Sequence, residues 1–329
     1  MFRLASFDTG FFPGQRGPMA EPSAGRRDSR TQAGGAIPGA EGQAAFSLTT
    51  GDGIPVVLAV PHAGRCYPDA LVEQMRHAGQ TRLRLEDRFA DLLAEAVARE
   101  TGAALLVAHA PRAMIDLNRA PDDIDWDMVA GAAPDRRSRF AAGRRARSGL
   151  GLVPRRLPGL GELWNKRLTQ VELQARVENI HQPYHAAMAR ALEKLRDRWG
   201  AALLIDLHSM PPLGPKRGTS AAPDFVVGDR FGASSAAGLS AATFEYFAAA
   251  GVSAAHNRPY AGGYGLDRHA APARGLHAIQ VEVCRSTYLD ADLSQPGPGM
   301  SEVSAVLVGL VRRLAEEIAG TARLAQAAE

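Results

Sequence analysis

The chain has 329 residues, enough for one large α/β domain or two modest ones around a buried core. Its 46% hydrophobic content suits a globular enzyme, and no apolar run reaches the ~18 residues that a helical membrane span needs. The formal net charge is +3, both signs are scattered, and arginine supplies nearly all the positive charge, because Lys166, Lys194 and Lys216 are the only lysines. The densest basic stretch, Arg136 to Arg156, holds eight arginines but no aromatic beyond Phe140, so the stacking platforms of a nucleic-acid surface are missing. Cys66 and Cys284 form no C-x-x-C pair, which implies no disulfide framework and a reducing, cytoplasmic setting. Met1 to Pro13 lacks the apolar core of a signal peptide.

Residues 1–45, rich in Gly, Pro, Ala, Ser and Arg without periodicity, read as a disordered or loosely attached tail before a single α/β domain over 46–329, with order starting at Ile54. Pro55 to Val60 is a short apolar run that ends at Pro61, the pattern of a buried strand. A helical stripe follows from Arg82 to Glu100, with Leu85, Phe89, Leu92, Leu93, Ala96 and Val97 on one face, and Thr101-Gly102 closes it. Ala103 to Ala108 is a second strand. Residues 122–160, dense in Pro, Gly and Arg, form an excursion or lid over the core. Leu168 to Trp199 is a long amphipathic helical stretch broken near His181-Gln-Pro183, and Gly200 ends it. Strands are then expected at 201–205, 224–228 and 278–283, with helices over 234–250 and 301–325. Alternating strands and helices predict an α/β fold with a mixed, mainly parallel sheet covered by helices on both faces.

Polar groups stand at the carboxyl ends of three of these strands: His62 after the first, Asp206 and His208 after Leu203 to Ile205, and Glu282 in Ile279 to Val283. Ligands bind outside the carboxyl ends of strands in open α/β sheets, so these groups converge. Histidine plus carboxylate without cysteine is the donor chemistry of a catalytic zinc site. A third ligand is expected from Leu85 to Arg88, with Asp87 first and Glu86 in reserve. Asp206, two residues before His208, is placed to brace an imidazole from behind. His77, His109, His256, His269 and His277 are left as ordinary structural histidines. Cys284 shares a strand face with Glu282 and reads as a small apolar filler.

Several short motifs occur in order: Pro61-His-Ala-Gly64, Asp116-Leu-Asn-Arg119, Pro183-Tyr-His185, Asp206-Leu-His-Ser209, Asn257-Arg-Pro-Tyr260 with Gly262-Gly263-Tyr264, and Gln280-Val-Glu282 with Arg285-Ser286. The string resembles the N-formylglutamate amidohydrolase family, relatives of zinc carboxypeptidases, from about Val56 to Leu289. The resemblance implies a zinc-peptidase-like α/β fold with one Zn(2+), or iron or cobalt in its place, on His62, the acid near Asp87, and His208. Two positions depart from the family pattern. Glu86-Asp-Arg88 stands where relatives show a Thr-Asp-Trp-like stretch, and Cys284 replaces an Asn before the Arg-Ser pair.

On this reading Glu282 is the general base, and Arg119, counted with it in the catalytic set, grips a substrate carboxylate. Asn118 lies beside Arg119, and Arg258, Arg285 and Arg112 are further cationic candidates. The Gly-rich, aromatic segment from Asn257 through Tyr260 and Gly263 to Tyr264 is expected to lie over the substrate, and His185 to support the site. The expected partner is a small acyl amino acid, N-formyl-L-glutamate first, with no nucleic acid or membrane. The alternatives are a zinc amidase or carboxypeptidase-like enzyme for another N-acyl amino acid or small peptide, and a ligand-binding relative without catalysis.

Overall fold

The computed structural model describes residues 31–131, 143–216 and 221–326. Its strands are β1 (Thr31–Gly34), β2 (Phe46–Thr49), β3 (Val56–Val60), β4 (Ala104–Ala108), β5 (Arg156–Leu157), β6 (Gly161–Glu162), β7 (Ala202–Met210), β8 (Phe225–Gly228), β9 (Ala254–His256) and β10 (Leu276–Cys284). Eight of them form one sheet in the order β1-β2-β4-β3-β7-β10-β8-β9. The centre, β4-β3-β7-β10, is parallel. Antiparallel pairs flank it: β1 on β2, β2 on β4, and β8 on β10. The mixed, mainly parallel α/β sheet expected from the alternation is therefore the architecture.

The helices are α1 (Asp69–Glu73), α2 (Ala78–Leu85), α3 (Ala90–Thr101), α4 (Arg144–Arg147), α5 (Gln170–Arg176), α6 (Gln182–Trp199), α7 (Ala237–Ala249), α8 (Tyr264–His269) and α9 (Met300–Gln326). They cover both faces of the sheet. Against one face, α3, α7 and α9 bury Leu93, Val97, Leu239, Phe247, Leu307, Leu310 and Leu314 on Val56, Leu58, Val60, Leu203, Ile205, Leu207, Ile279, Val281 and Val283. Against the other, α5 and α6 bury Leu173, Tyr184, Ala187 and Met188 near Val57, Ala59, Ala202, Leu204 and Ala278. Each strand thus alternates between two cores, as a period of two requires.

Four expectations shift. The chain joins the sheet well before residue 46: β1 pairs with β2, and Ile37 and Ala45 are buried. β1 is an exposed edge strand, so it carries no alternation to read, and residues 1–30 of the expected tail lie outside the described residues. The helix expected over 82–100 is two helices, and Phe89 between them has left-handed backbone, φ 58°. Its apolar stripe hid the break, although Leu92 on that stripe is exposed. Asp87 therefore lies in the link, its amide donating to His62 O at 2.9 Å.

The break expected near Pro183 is instead a π turn over Val177–His181 that keeps α5 and α6 continuous. Pro183 cannot donate to Asn179 O one turn back, and the amide of Ala36 occupies that carbonyl at 2.9 Å. Lastly, β7 runs on to Met210, so Asp206 and His208 stand within the strand rather than after it.

Of the Arg-rich excursion, residues 132–142 lie outside the described residues. The described parts are packed against the body: Leu152 and Val153 are buried, Arg155 pairs with Asp125 at 2.7 Å, and Trp164 Nε1 donates to Pro154 O at 2.6 Å. No helix among the described residues is long and apolar enough to cross a membrane.

Candidate metal centre

On the α6 side of β7 and β10 the inward residues change character along the strand. β7 presents Ala202, Leu204, Asp206 and His208, and β10 presents Leu276, Ala278, Gln280 and Glu282. The two strands are parallel and in register, so Gln280 lies beside Asp206 and Glu282 beside His208. The apolar half of each strand packs under α6. The polar half opens at the carboxyl end, where β3 delivers His62 two residues past Val60.

His62, Asp87 and His208 bring one ligand atom each to within 4.8 Å of one another, all buried. Asp87 Oδ2 is 3.0 Å from His208 Nδ1 and 3.5 Å from His62 Nδ1, and the two rings are 4.7 Å apart. Both imidazoles turn Nδ1 towards Asp87 and Nε2 towards a second carboxylate. His62 Nε2 meets Asp116 Oδ1 at 2.6 Å, and His208 Nε2 meets Asp206 Oδ2 at 3.0 Å. Such carboxylate backing fixes the tautomer and leaves the front nitrogen as a lone pair. His62 Nδ1 is buried with no hydrogen-bond partner. An orphaned buried acceptor beside an aspartate and a second imidazole is what a cation would satisfy, and two imidazoles with one carboxylate fit zinc.

Asp87 is held from its other side. Its Oδ1 accepts from Arg285 Nη2 at 3.2 Å and from Ser209 Oγ at 3.3 Å. Burial alone would raise its carboxyl, but the hydrogen bonds and charges of His208 and His62 hold it well below the usual range. Arg285 also donates to Ser209 Oγ, Leu83 O and Glu86 O, so its guanidinium clamps the 83–87 link and is committed there rather than to an anchor for ligand. Glu86, the reserve ligand, points away and receives Arg88 at 2.8 Å.

Glu282 is buried, accepts from Gln280 Nε2 at 2.8 Å, and burial pushes its carboxyl up to about 6 despite the pull of His208. With His62, Asp87 and His208 it lines a cavity of about 780 Å³. Asn118 and Arg119 form part of the wall. Asn118 is held at both ends: its amide nitrogen donates to Gln280 Oε1 at 3.2 Å and lies against His208, and its oxygen accepts from the Gly265 amide at 2.9 Å. A Cβ on Gly263 would sit 2.5 Å from that side chain, so this contact requires glycine.

Arg119 is partly buried and donates to the carbonyls of Leu150 and Asn118. Arg112 instead pairs with Asp116 at 2.9 Å. Arg84, Arg144 and Arg145 also line the cavity, and none has a carboxylate partner among the described residues. Tyr260, Gly263 and Tyr264 also line the cavity, the last two beside Asn118. Asn257 does not: it is buried against Asp229, with Nδ2 donating to Oδ1 at 2.8 Å. Arg258 is exposed and outside the cavity lining. His185 touches no member of the metal set and bonds Leu117 O and His269. Cys284 packs fully buried with Met210 and Val226.

Some participants carry no sign in periodicity. Asp116 opens the Asp-Leu-Asn-Arg motif, and only the position of that motif marks it. Ser209 closes the Asp-Leu-His-Ser motif, and the α4 arginines of the Arg-rich excursion reach the site through tertiary packing.

The fold and the His-Asp-His cluster beside a buried glutamate define an α/β protein with a candidate divalent-metal centre at the carboxyl edge of its sheet. The model of the N-formylglutamate amidohydrolase family matches residues 54–289, and the chain belongs to that family. It is 32% identical over 258 residues to the N-formylglutamate deformylase of Pseudomonas putida, covering 74% of this chain and 88% of that protein. The corresponding protein of Pseudomonas aeruginosa is 30% identical over 273 residues, covering 80% and 92%. The crystal structure of N-formylglutamate amidohydrolase from Ralstonia eutropha JMP134 superposes with a TM-score of 0.74 at 32% identity, over 83% of this chain and 98% of that one. The protein is accordingly a hydrolytic enzyme of the amidohydrolase type.

Proposed function

We propose that this enzyme hydrolyses N-formyl-L-glutamate to formate and L-glutamate in a zinc-dependent reaction. The observation that carries the reading is a buried glutamate, Glu282, beside an unsatisfied imidazole nitrogen and an aspartate at the floor of an arginine-lined cavity. The names of the relatives point to the same substrate.

His62, Asp87 and His208 would hold the ion, which when bound lowers the pKa of water and polarises a carbonyl. Asp116 and Asp206 keep the two imidazoles oriented and their Nε2 atoms protonated. Glu282 accepts a proton from the water that attacks the formyl carbon. Once the C–N bond breaks, it passes that proton to the departing amine nitrogen, so one carboxyl serves as base and then as acid. A carboxyl near 6 is matched to both tasks around neutrality. Arg119 and Arg145, which both line the cavity, take the substrate carboxylates, with Asn118, Tyr260, Gly263 and Tyr264 shaping the space around them. The unpaired Cys66 and Cys284 accord with a reducing, cytoplasmic location.

The test is turnover per enzyme across N-formyl, N-acetyl and N-succinyl amino acids, alongside metal analysis. N-formyl-L-glutamate should be fastest, with about one zinc per chain. Faster turnover of another acyl amino acid or a small peptide would reassign the substrate, and no turnover of any would leave a ligand-binding relative.

A further inference from the structure

Behind the wall formed by Asn118 and Arg119 lie three imidazoles that the reaction does not use. His181 closes the π turn, His185 follows one turn later on α6, and His269 ends α8. All three are buried. The rings of His181 and His185 are 4.5 Å apart, and His269 stacks on His185 at 5.2 Å.

Each of the first two imidazoles meets a main-chain carbonyl of the same short segment. His181 Nε2 lies 2.9 Å from Arg119 O, and His185 Nε2 lies 3.0 Å from Leu117 O. A carbonyl only accepts, so both Nε2 atoms carry hydrogen. His185 Nδ1 is then left as an acceptor and receives His269 Nε2 at 2.9 Å. Burial pushes all three imidazoles below their ordinary range, His269 to about 4, which keeps this neutral pattern at neutral pH. The segment is thereby held along both edges. Its even-numbered side chains reach the centre, Asp116 to His62 and Asn118 to His208, while the carbonyls of 117 and 119 are tied to α6 and the π turn before it. Tyr264 leans on the same two imidazoles, with centroids 5.5 and 5.0 Å away, and lines the cavity.

We infer that His181 and His185 are positioning residues for the substrate wall: by fixing two carbonyls of the 117–119 segment and backing Tyr264, they set where Arg119 and Asn118 point. The inference rests on the reading that Arg119 and Tyr264 meet the substrate. The two histidines divide the task. His181 ties Arg119, at the substrate end, whereas His185 ties Leu117, between the residue that braces His62 and the one that touches His208.

The zinc-loaded enzyme and N-formyl-L-glutamate provide the test. His181→Leu removes the donor and should raise KM about tenfold, the loss of one well-placed hydrogen bond, with kcat within twofold and zinc content unchanged. His181→Gln places an amide nitrogen near the Nε2 position and should restore most of the lost affinity, whereas the shorter His181→Asn should not. The Gln and Asn pair decides the matter if the Leu variant fails to fold. A KM unchanged in the Leu variant, or Gln and Asn variants that behave alike, overturns the inference. If the unaltered enzyme ignores N-formyl-L-glutamate, the substrate reading fails separately, and the same variants are then compared on whichever acyl amino acid it turns over best.

Discussion

The two faces of β7 and β10 are built on opposite principles. Facing α3, α7 and α9, the strands present Leu203, Ile205, Leu207, Ile279, Val281 and Val283, with polar groups only at the ends of the run, Ser209 and His277. Facing α6, the same strands start as apolar, turn polar at Asp206, His208, Gln280 and Glu282, and close on Met210 and Cys284. Four buried polar groups in a row weaken a sheet unless each is satisfied, and here each has a partner. The difference shows how reactive groups are held to a few tenths of an ångström: an uninterrupted core on one face fixes the strand positions that the other face uses.

Substitutions separate the two faces. The largest effect is expected on the polar face: Glu282→Gln should lower kcat by about 10³-fold or more while zinc content stays the same, and stopped assays with metal analysis would check both. Undiminished turnover would remove Glu282 from the chemistry. Asp116→Asn leaves His62 unbraced and should weaken zinc retention about 10- to 100-fold, read by competition with a chelator. The pH profile should follow Glu282. A base works deprotonated and this carboxyl lies near 6, so kcat/KM should fall about tenfold per unit as pH drops below that value, with a plateau above it. The smallest effect on turnover belongs to the other face. Leu310→Ala, in the fully buried seam of α9, should cost about 2–5 kcal/mol in denaturant unfolding and leave kcat/KM unchanged at 25 °C.

The same contrast explains what could be read in advance. β3 and β4 are continuous buried apolar runs and α7 and α9 are long periodic stretches, so their order and type are visible in the sequence. β7 was harder, because Asp206 and His208 look like the start of a loop when only hydrophobicity is considered, although they occupy strand positions whose neighbours on β10 are equally polar. The interruption of the helix at Glu86 to Phe89 left no trace, since Leu85, Leu93 and Val97 keep a helical spacing across it. His62, Asp87 and His208 are legible because strand ends and motif order point to them. Their brace Asp116, the clamp from Arg285 and the imidazoles behind the wall depend on contacts between segments far apart in the chain. Asn257 shows the reverse case: a polar residue in a promising motif whose amide holds Asp229 in a turn.

The amino-terminal edge has a practical side. A compositional eye would shorten this protein for expression at about residue 46, just where the apolar runs begin. That cut would take away β1, expose the ring of Phe46 that Gly34 packs against, and release Asn179 O, the carbonyl that Pro183 leaves for the Ala36 amide. Shortened versions should therefore start no later than Thr31, and a variant starting at residue 46 should aggregate through its bared β2 edge.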